Sequence, residues 1–415
     1  MTADSGLSGT APSIPLPSLT AHRPEPPNAL PEADIWLPKL CSRSSAFLLD
    51  VVRADDGLFP YSTRLRGGAY ANDFEHPAAP RYTINSLLGL QTAARESSDV
   101  DQDDVDRLTR TFLATHGGRL ATPADLGLLL VLLAEANGFS RDAEETLARV
   151  RRVSRGPEVG RLTMQDVSWM LWGACAAADA GLRDAAAVAS ELGELILTRF
   201  VHPESLFPRH DLSRYRRDIV SFGALTYFLR AMYELFSLTD DPRAARAFTE
   251  GVGAAVRLQG DLGEWPWLIS ARRRIPLDFY PVFAVHQDSM AMLFLLPALE
   301  LGLPVAGEIE RSFAWVLGRN ELSTPMVATD PFVAYRSIER VERWPRARRY
   351  ARSIPRSATG AADRSGRSSR VRINPECRSY HLGWLLYVWS GRAGMPFTAA
   401  DARRTRLVKT ARSTG

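Results

Sequence analysis

The chain has 415 residues, 45% hydrophobic and 24% charged, with 51 Lys and Arg against 47 Asp and Glu. That is the composition of a globular protein with ample apolar residues for a large core, and it excludes a fibrous or largely disordered chain. The net charge of +4 is small and its basic runs lack interleaved aromatic residues, so no nucleic-acid partner is expected.

Residues 1–30 are rich in Pro, Ser, Thr and Ala and contain no continuous apolar run, which reads as a disordered leader rather than a signal peptide. A single folded domain is expected over 31–398, followed by a basic tail over 399–415. No run of about 18 apolar residues occurs, so no membrane-spanning helix is expected. Cys41, Cys175 and Cys377 are too far apart for a C-x-x-C site. An odd count without close pairs suits a reducing compartment, and the cytoplasm is the expected location.

Internal repetition organises the rest of the chain. Gly57-Leu58-Phe59-Pro60-Tyr61 leads through a polar stretch and Arg81-Tyr82 into a helical run over 85–94. A charged helix follows over 101–115, then Gly117-Gly118-Arg119-Leu120 and an apolar helix over 123–136. A charged helix over 140–153 precedes Gly160-Arg161-Leu162-Thr163 and the helix 164–178. After a helix over 183–200, Leu206-Phe207-Pro208 leads through Arg217 into 221–236. A helix over 241–257 precedes Gly263-Glu264-Trp265-Pro266-Trp267, which leads through Asp278 and Tyr280 into the run 282–301. A helix over 306–318 is followed by a last unit that starts at Phe332-Val333-Ala334-Tyr335-Arg336 and resumes at 379–389. A flexible Arg-rich surface insertion, about 341–370, interrupts it.

Each unit thus alternates a helix of Gly, Ala and large apolar residues with a more charged, amphipathic one. Neither can bury its faces alone, so neighbouring hairpins must stack on both sides. Units of unequal length without a regular consensus favour closure over an open solenoid. The expected fold is all-α: an α/α toroid of six hairpins, with small-residue helices inside, charged helices outside, and little strand.

Gln259-Gly260-Asp261-Leu262-Gly263-Glu264-Trp265 fits the pattern Q-x-x-x-G-x-W. It resembles the QW motif of terpenoid cyclases, whose α/α toroid is shared with protein prenyltransferase β-subunits. Gln259 would bond free backbone groups of the next helix and Trp265 would cover the junction. Asp278-Phe279-Tyr280 and Tyr380-His381 lie where prenyltransferase β-subunits place zinc ligands. Tyr280 stands in place of the usual cysteine, which leaves Asp278, Cys377 and His381 as an improvised trio and makes no metal the expectation. Asp101-Gln102-Asp103-Asp104 resembles the acid motif of class II cyclases, yet an acidic run opening a charged helix is explained by capping.

His286 and Asp288 interrupt an otherwise apolar helix, where polar side chains must either pair or face a cavity. With Glu264, Tyr280 and His381 they are the candidate acid–base residues. Tyr61, Arg81, Arg217, Trp265, Trp267, Asp278, Tyr335, Arg336, Arg378 and Tyr380 recur after the turns and are candidate ligand contacts; arginines at one opening would suit diphosphate or uronate groups. No Walker A loop, dinucleotide fingerprint, H-E-x-x-H or G-x-S-x-G is present.

Three functions fit. The resemblance implies an enzyme acting on an isoprenoid or other hydrophobic ligand in a central cavity. The Trp, His, Tyr, Arg and Glu vocabulary equally suits a carbohydrate-active toroid, such as a lyase, epimerase or glycosidase. A non-catalytic binding scaffold is the third. The expected partner is a small molecule or an oligosaccharide.

Overall fold

A computed structural model describes residues 33–136, 138–213, 216–363 and 370–392; the expected leader and basic tail lie outside them. Six helices form an inner ring: α2 (Ala79–Glu96), α4 (Pro123–Glu135), α6 (Met164–Asp179), α8 (Phe222–Thr239), α10 (Met292–Glu300) and α13 (Ser379–Trp389). Six surround it: α1 (Ala33–Ala46), α3 (Gln102–His116), α5 (Ser140–Arg155), α7 (Ala185–Leu195), α9 (Pro242–Ala255) and α11 (Ala306–Val316). From α2 to α10 consecutive inner helices pack side by side, α13 packs on the turn His286–Met290 that leads into α10, and α13 packs against α2, which closes the ring.

The two layers follow from residue pattern. In α5 only Ala143, Thr146, Leu147 and Val150 are buried, a single stripe on a charged helix. In α4 every residue from Ala124 to Leu133 is buried, because ring neighbours cover one side and outer helices the other. Glycines set the spacing of the inner wall. A Cβ at Gly89 of α2 would lie 2.2 Å from the carbonyl oxygen of Gly383 in α13, and one at Gly127 of α4 would lie 2.4 Å from the backbone of Met170 in α6. Only a residue without a side chain permits such backbone contact.

All six inner helices run the same way. Arg81 of α2 pairs with Asp125 near the start of α4, and Arg95 near the end of α2 pairs with Glu135 at the end of α4. Tyr82 meets Tyr380 near the starts of α2 and α13. Thr122 and Thr163 begin α4 and α6 with reciprocal capping boxes to Asp125 and Asp166, and Ser221 caps α8.

Links from inner to outer helices are short. Four of the links from outer to inner helices, those leading into α2, α8, α10 and α13, are long and carry ten short strands, against the expectation of almost none. β1 (Ser62–Arg66) and β2 (Ala69–Asp73) form a hairpin whose turn, Gly67-Gly68, has positive φ at both positions. β3 (Ile219–Ser221), β4 (Leu268–Ser270) and β5 (Ile275–Asp278) make one antiparallel sheet in that order. β6 (Val282–Phe283), β9 (Ser337–Arg340) and β10 (Val371–Asn374) make another, with β9 central, and β7 (Val327–Thr329) pairs with β8 (Phe332–Ala334). These strands decorate the end of the ring where the inner helices begin.

Helix α1 was not anticipated, and neither was α12 (Pro345–Thr359), which lies inside the Arg-rich insertion expected to be flexible. Carboxylates fix α12. Asp278 at the end of β5 is fully buried and pairs with Arg340 of β9 and Arg352 of α12, while Asp363 pairs with Arg340 and Arg356. Residues 364–369 of the insertion lie outside the described residues.

Candidate functional site

After β6 the chain enters α10 through a π-helical turn, His286–Met290, in which the Ala291 amide donates to the His286 carbonyl at 3.2 Å. The extra residue in such a turn re-aims side chains, and it accumulates at functional positions. Here it buries His286, Asp288 and Ser289 together.

Asp288 faces His381 in the first turn of α13. The imidazole Nε2 lies 2.8 and 2.9 Å from the two carboxylate oxygens, and both residues are almost wholly buried. A carboxylate accepts, so Nε2 carries the proton and Nδ1 is left as the basic nitrogen. The Ser289 hydroxyl donates to Asp288 Oδ1 at 2.6 Å, and the indole of Trp389 donates to the Asp288 carbonyl at 2.6 Å. The pair is therefore held by groups of its own turn and of α13.

His286 sits beside this pair among rings. Its imidazole stacks on Trp267 with centroids 5.7 Å apart, and lies 4.8 Å from Phe222 and 5.1 Å from Phe283. Burial, assisted by the nearby His381, pushes its pKa down to about 3, and its Nδ1 has no hydrogen-bond partner. This histidine is neutral throughout the ordinary pH range.

Above the pair, toward the opening, Tyr380 packs on Tyr82 at 4.4 Å, Tyr82 stacks on Tyr61 at 4.9 Å, and Tyr61 stacks on His76 at 3.4 Å. Burial raises the Tyr380 phenol above its ordinary value, opposed by Arg336 and Arg378. Arg378 lies 3.7 Å over the Tyr61 ring and donates to the Tyr61 carbonyl. One carboxylate, Glu376, receives Arg64, Arg336 and Arg378. Burial works to raise Glu376, but the Arg64 and Arg378 hydrogen bonds and the surrounding positive charge prevail and hold it at about 2.

A cavity of about 430 Å³ opens on the other side of this wall, between β3, β4 and α12. Trp267, half-buried, lines it together with His210, Arg216, Ser221, Arg349 and Tyr350. Arg349 lies 5.8 Å over the Trp267 ring.

The structure thus gathers His286, Asp288, His381, Tyr380, Tyr61 and Trp267 at one end of the ring, with Arg336 and Arg378 bound to Glu376 beside them. The remaining candidates stand elsewhere. Glu264 is buried beneath Gly260, and its Oε2 accepts from the Leu262 amide inside its own turn. The Tyr280 hydroxyl donates to Glu321 at 2.8 Å, and Arg340 covers its ring. Asp278 serves α12. Arg81 is taken by Asp125 and Thr122, tying α2 to α4. Arg217 is exposed near Asp218, and Tyr335 packs partly buried between β8 and β9. Trp265 is fully buried, donating to Ser312 at 2.9 Å, while the Gln259 amide donates to the Gly263 and Glu308 carbonyls. The trio Asp278, Cys377 and His381 does not converge: among the described residues no three His, Cys, Asp or Glu side chains form a metal-binding group. Cys377 is buried with its thiol pushed up to about 11, and its backbone pairs with Thr63. Asp101 caps α3 by accepting from the Asp103 amide.

Sequence reasoning missed His76, Tyr227, Glu376, His210 and Arg349. Only Tyr227, a polar ring in the apolar run of α8 beside Trp169 and Met290, left the kind of signal that singled out His286.

Compared by sequence, the chain matches no family model and no curated protein. Its structure is similar to that of cellobiose 2-epimerase from Bacillus thermoamylovorans B4167, with a TM-score of 0.57 and 10% identity over 86% of this chain and 99% of that one. It is also similar to the GH76A α-1,6-mannanase of Salegentibacter sp. HEL1_6 (TM-score 0.54, 11% identity, 86% of this chain and 98% of that one). A third is an unsaturated glucuronyl hydrolase specific for heparin (TM-score 0.54, 13% identity, 91% and 98%). The fold is an α/α toroid. Within it, the Asp288–His381 pair lies just inside the end of the ring that bears the long connections. No helix among the described residues is long and apolar enough to cross a membrane.

Proposed function

We propose that this toroid is a carbohydrate-active enzyme of the epimerase or lyase type, moving a proton on a sugar through His381 with Asp288 as its orienting carboxylate. The observation that carries this reading is the buried Asp288–His381 pair beneath a wall of aromatic rings. Aromatic faces suit the C–H faces of sugar rings, and a histidine fixed in one tautomer by a carboxylate suits proton abstraction beside a carbonyl. The shared toroid of the epimerase, mannanase and glucuronyl hydrolase supports the substrate class by analogy of fold alone. Tyr380, next to His381 and packed on Tyr82, would contact the substrate, and Tyr61 and Trp267 would flank it. Three free cysteines support a reducing, cytoplasmic setting.

The test is exchange of sugar C–H protons with deuterated solvent, followed by NMR across reducing disaccharides and uronate oligomers. Wild-type protein should exchange, epimerise or cleave one of them. D288N should lower that rate by about 10²–10⁴-fold with the fold intact by circular dichroism. Full activity in D288N and H381Q would refute the assignment.

An isoprenoid-processing toroid remains the second reading, favoured by Gln259, whose amide bridges the Gly263 and Glu308 carbonyls as a QW junction would. It requires saturable binding of a prenyl diphosphate. In a pure binding scaffold, the same two variants would change stability or affinity and no turnover would exist to lose.

A further inference from the structure

The cavity outside Trp267 plays no part in the proton transfer above, yet it is lined in an unusual way. Most arginines around this end of the ring are neutralised: Arg64, Arg336 and Arg378 by Glu376, Arg340 and Arg352 by Asp278, Arg356 by Asp363. Arg216 and Arg349 are not. Neither forms an ion pair with a described carboxylate, and none of the described residues lining the cavity they share is a carboxylate; Asp278 and Glu342 act on Arg349 only from a distance, being already paired with Arg340 and Arg352. Arg349 has only the Trp267 ring beneath it, and its Nε is buried without a hydrogen-bond partner. Leaving a partly buried guanidinium unpaired is costly unless an anion arrives to meet it.

His210 adds a third donor. Arg216 Nη2 lies 2.9 Å from His210 Nε2, and a guanidinium can only donate, so Nε2 accepts and the neutral ring carries its proton on Nδ1. That Nδ1 is buried and has no partner. Burial, then the charge of Arg216, holds the His210 pKa below its ordinary value, which keeps the ring in this neutral donor form. The cavity is therefore lined by two arginines and a neutral histidine around the exposed part of an indole, and its volume of about 430 Å³ falls in the range of small-molecule pockets, about 300–1,000 Å³.

We propose that this cavity is a subsite for an acidic sugar residue, a uronate whose ring packs along the exposed edge of Trp267 and whose carboxylate is bound by Arg349 and Arg216. The inference rests on the carbohydrate reading and sharpens it to carboxylated oligosaccharides. Trp267 connects the two places, because its other contacts include the His286 ring at 5.7 Å. Tyr350 and Ile354 of α12 complete the rim, so the Arg-rich insertion supplies part of the subsite.

Calorimetric titration of the full chain with trigalacturonate and with maltotriose tests this. The acidic trimer should bind at least about tenfold more tightly at low salt, with the difference shrinking as salt is added. R349Q and R216Q should each weaken the acidic trimer about tenfold while leaving maltotriose affinity and melting temperature unchanged; R349K, which keeps charge but loses the fork, should fall between. Equal affinity for the two trimers, or an acidic preference that survives both Gln variants, would overturn the subsite and leave the carbohydrate reading standing. Binding of neither trimer would overturn both.

Discussion

Two buried groups at the site make stability depend on acidity in separable ways. His286 is neutral when folded, with a pKa near 3 against an ordinary 6.5. The unfolded chain therefore takes up a proton that the folded one refuses, and stability is full above 6.5 and falls as the pH drops from there toward 3. Glu376, at about 2 against 4.5, behaves likewise in a lower window: its contribution is complete above 4.5 and disappears as the pH falls toward 2. Thermal melts from pH 8 to 3 should show both, and H286F should flatten the upper window while E376Q flattens the lower one and lowers stability at pH 7. At this scale the sequence was legible where it broke a pattern. His286 and Asp288 stand out in an apolar run, and His381 heads an apolar helix. Glu376, His210 and Arg349 did not stand out, because loops and basic stretches are full of such residues. Their importance comes from partners far along the chain, such as Arg64, more than 300 positions from Glu376.

Among the elements, the inner helices were the readable ones. Apolar runs bounded by Thr and Ser caps marked α4, α6 and α8 to within a few residues, and the apolar run alone marked α13, since capping and burial are both local signals. Helix α12 was hidden because five of its fifteen residues are arginine and Pro355 lies within it. It is helical because carboxylates outside it accept two of those arginines: Asp278 and Glu342 take Arg352, and Asp363 takes Arg356. D278N should therefore release it: losing one partner of a buried ion pair costs about 3–5 kcal/mol, and limited trypsin digestion should cut within 345–359 well before the ring is attacked. Helix α1 was equally obscure, beside a Pro-rich stretch and itself containing Pro38. The Gly89–Gly383 contact makes the opposite kind of prediction. G89A pushes a methyl into backbone, and a denaturant midpoint should report a loss of about 1–3 kcal/mol without any change in secondary structure.

For the molecule as a whole, the alternation of apolar and charged helices was enough to indicate a closed ring, because each layer needs a neighbour on both sides. Residue pattern could not indicate the strands, which are two to five residues long and paired across distant connections. Closure itself is testable. Truncation after Arg378 removes α13, exposing the inner faces of α1 and α2 together, and the shortened chain should lose its cooperative melt and aggregate, whereas an open solenoid would merely shorten. The common direction of the six inner helices has one more consequence. Each begins at the end of the ring that holds Asp288 and His381, and each brings there backbone N–H groups and the positive pole of its peptide dipoles, about half an elementary charge per helix. The backbone alone thus gives the opening beside Asp288 and His381 a positive local potential and the opposite face a negative one, so an anion that reaches the first turns of these helices is favoured there before any side chain contributes.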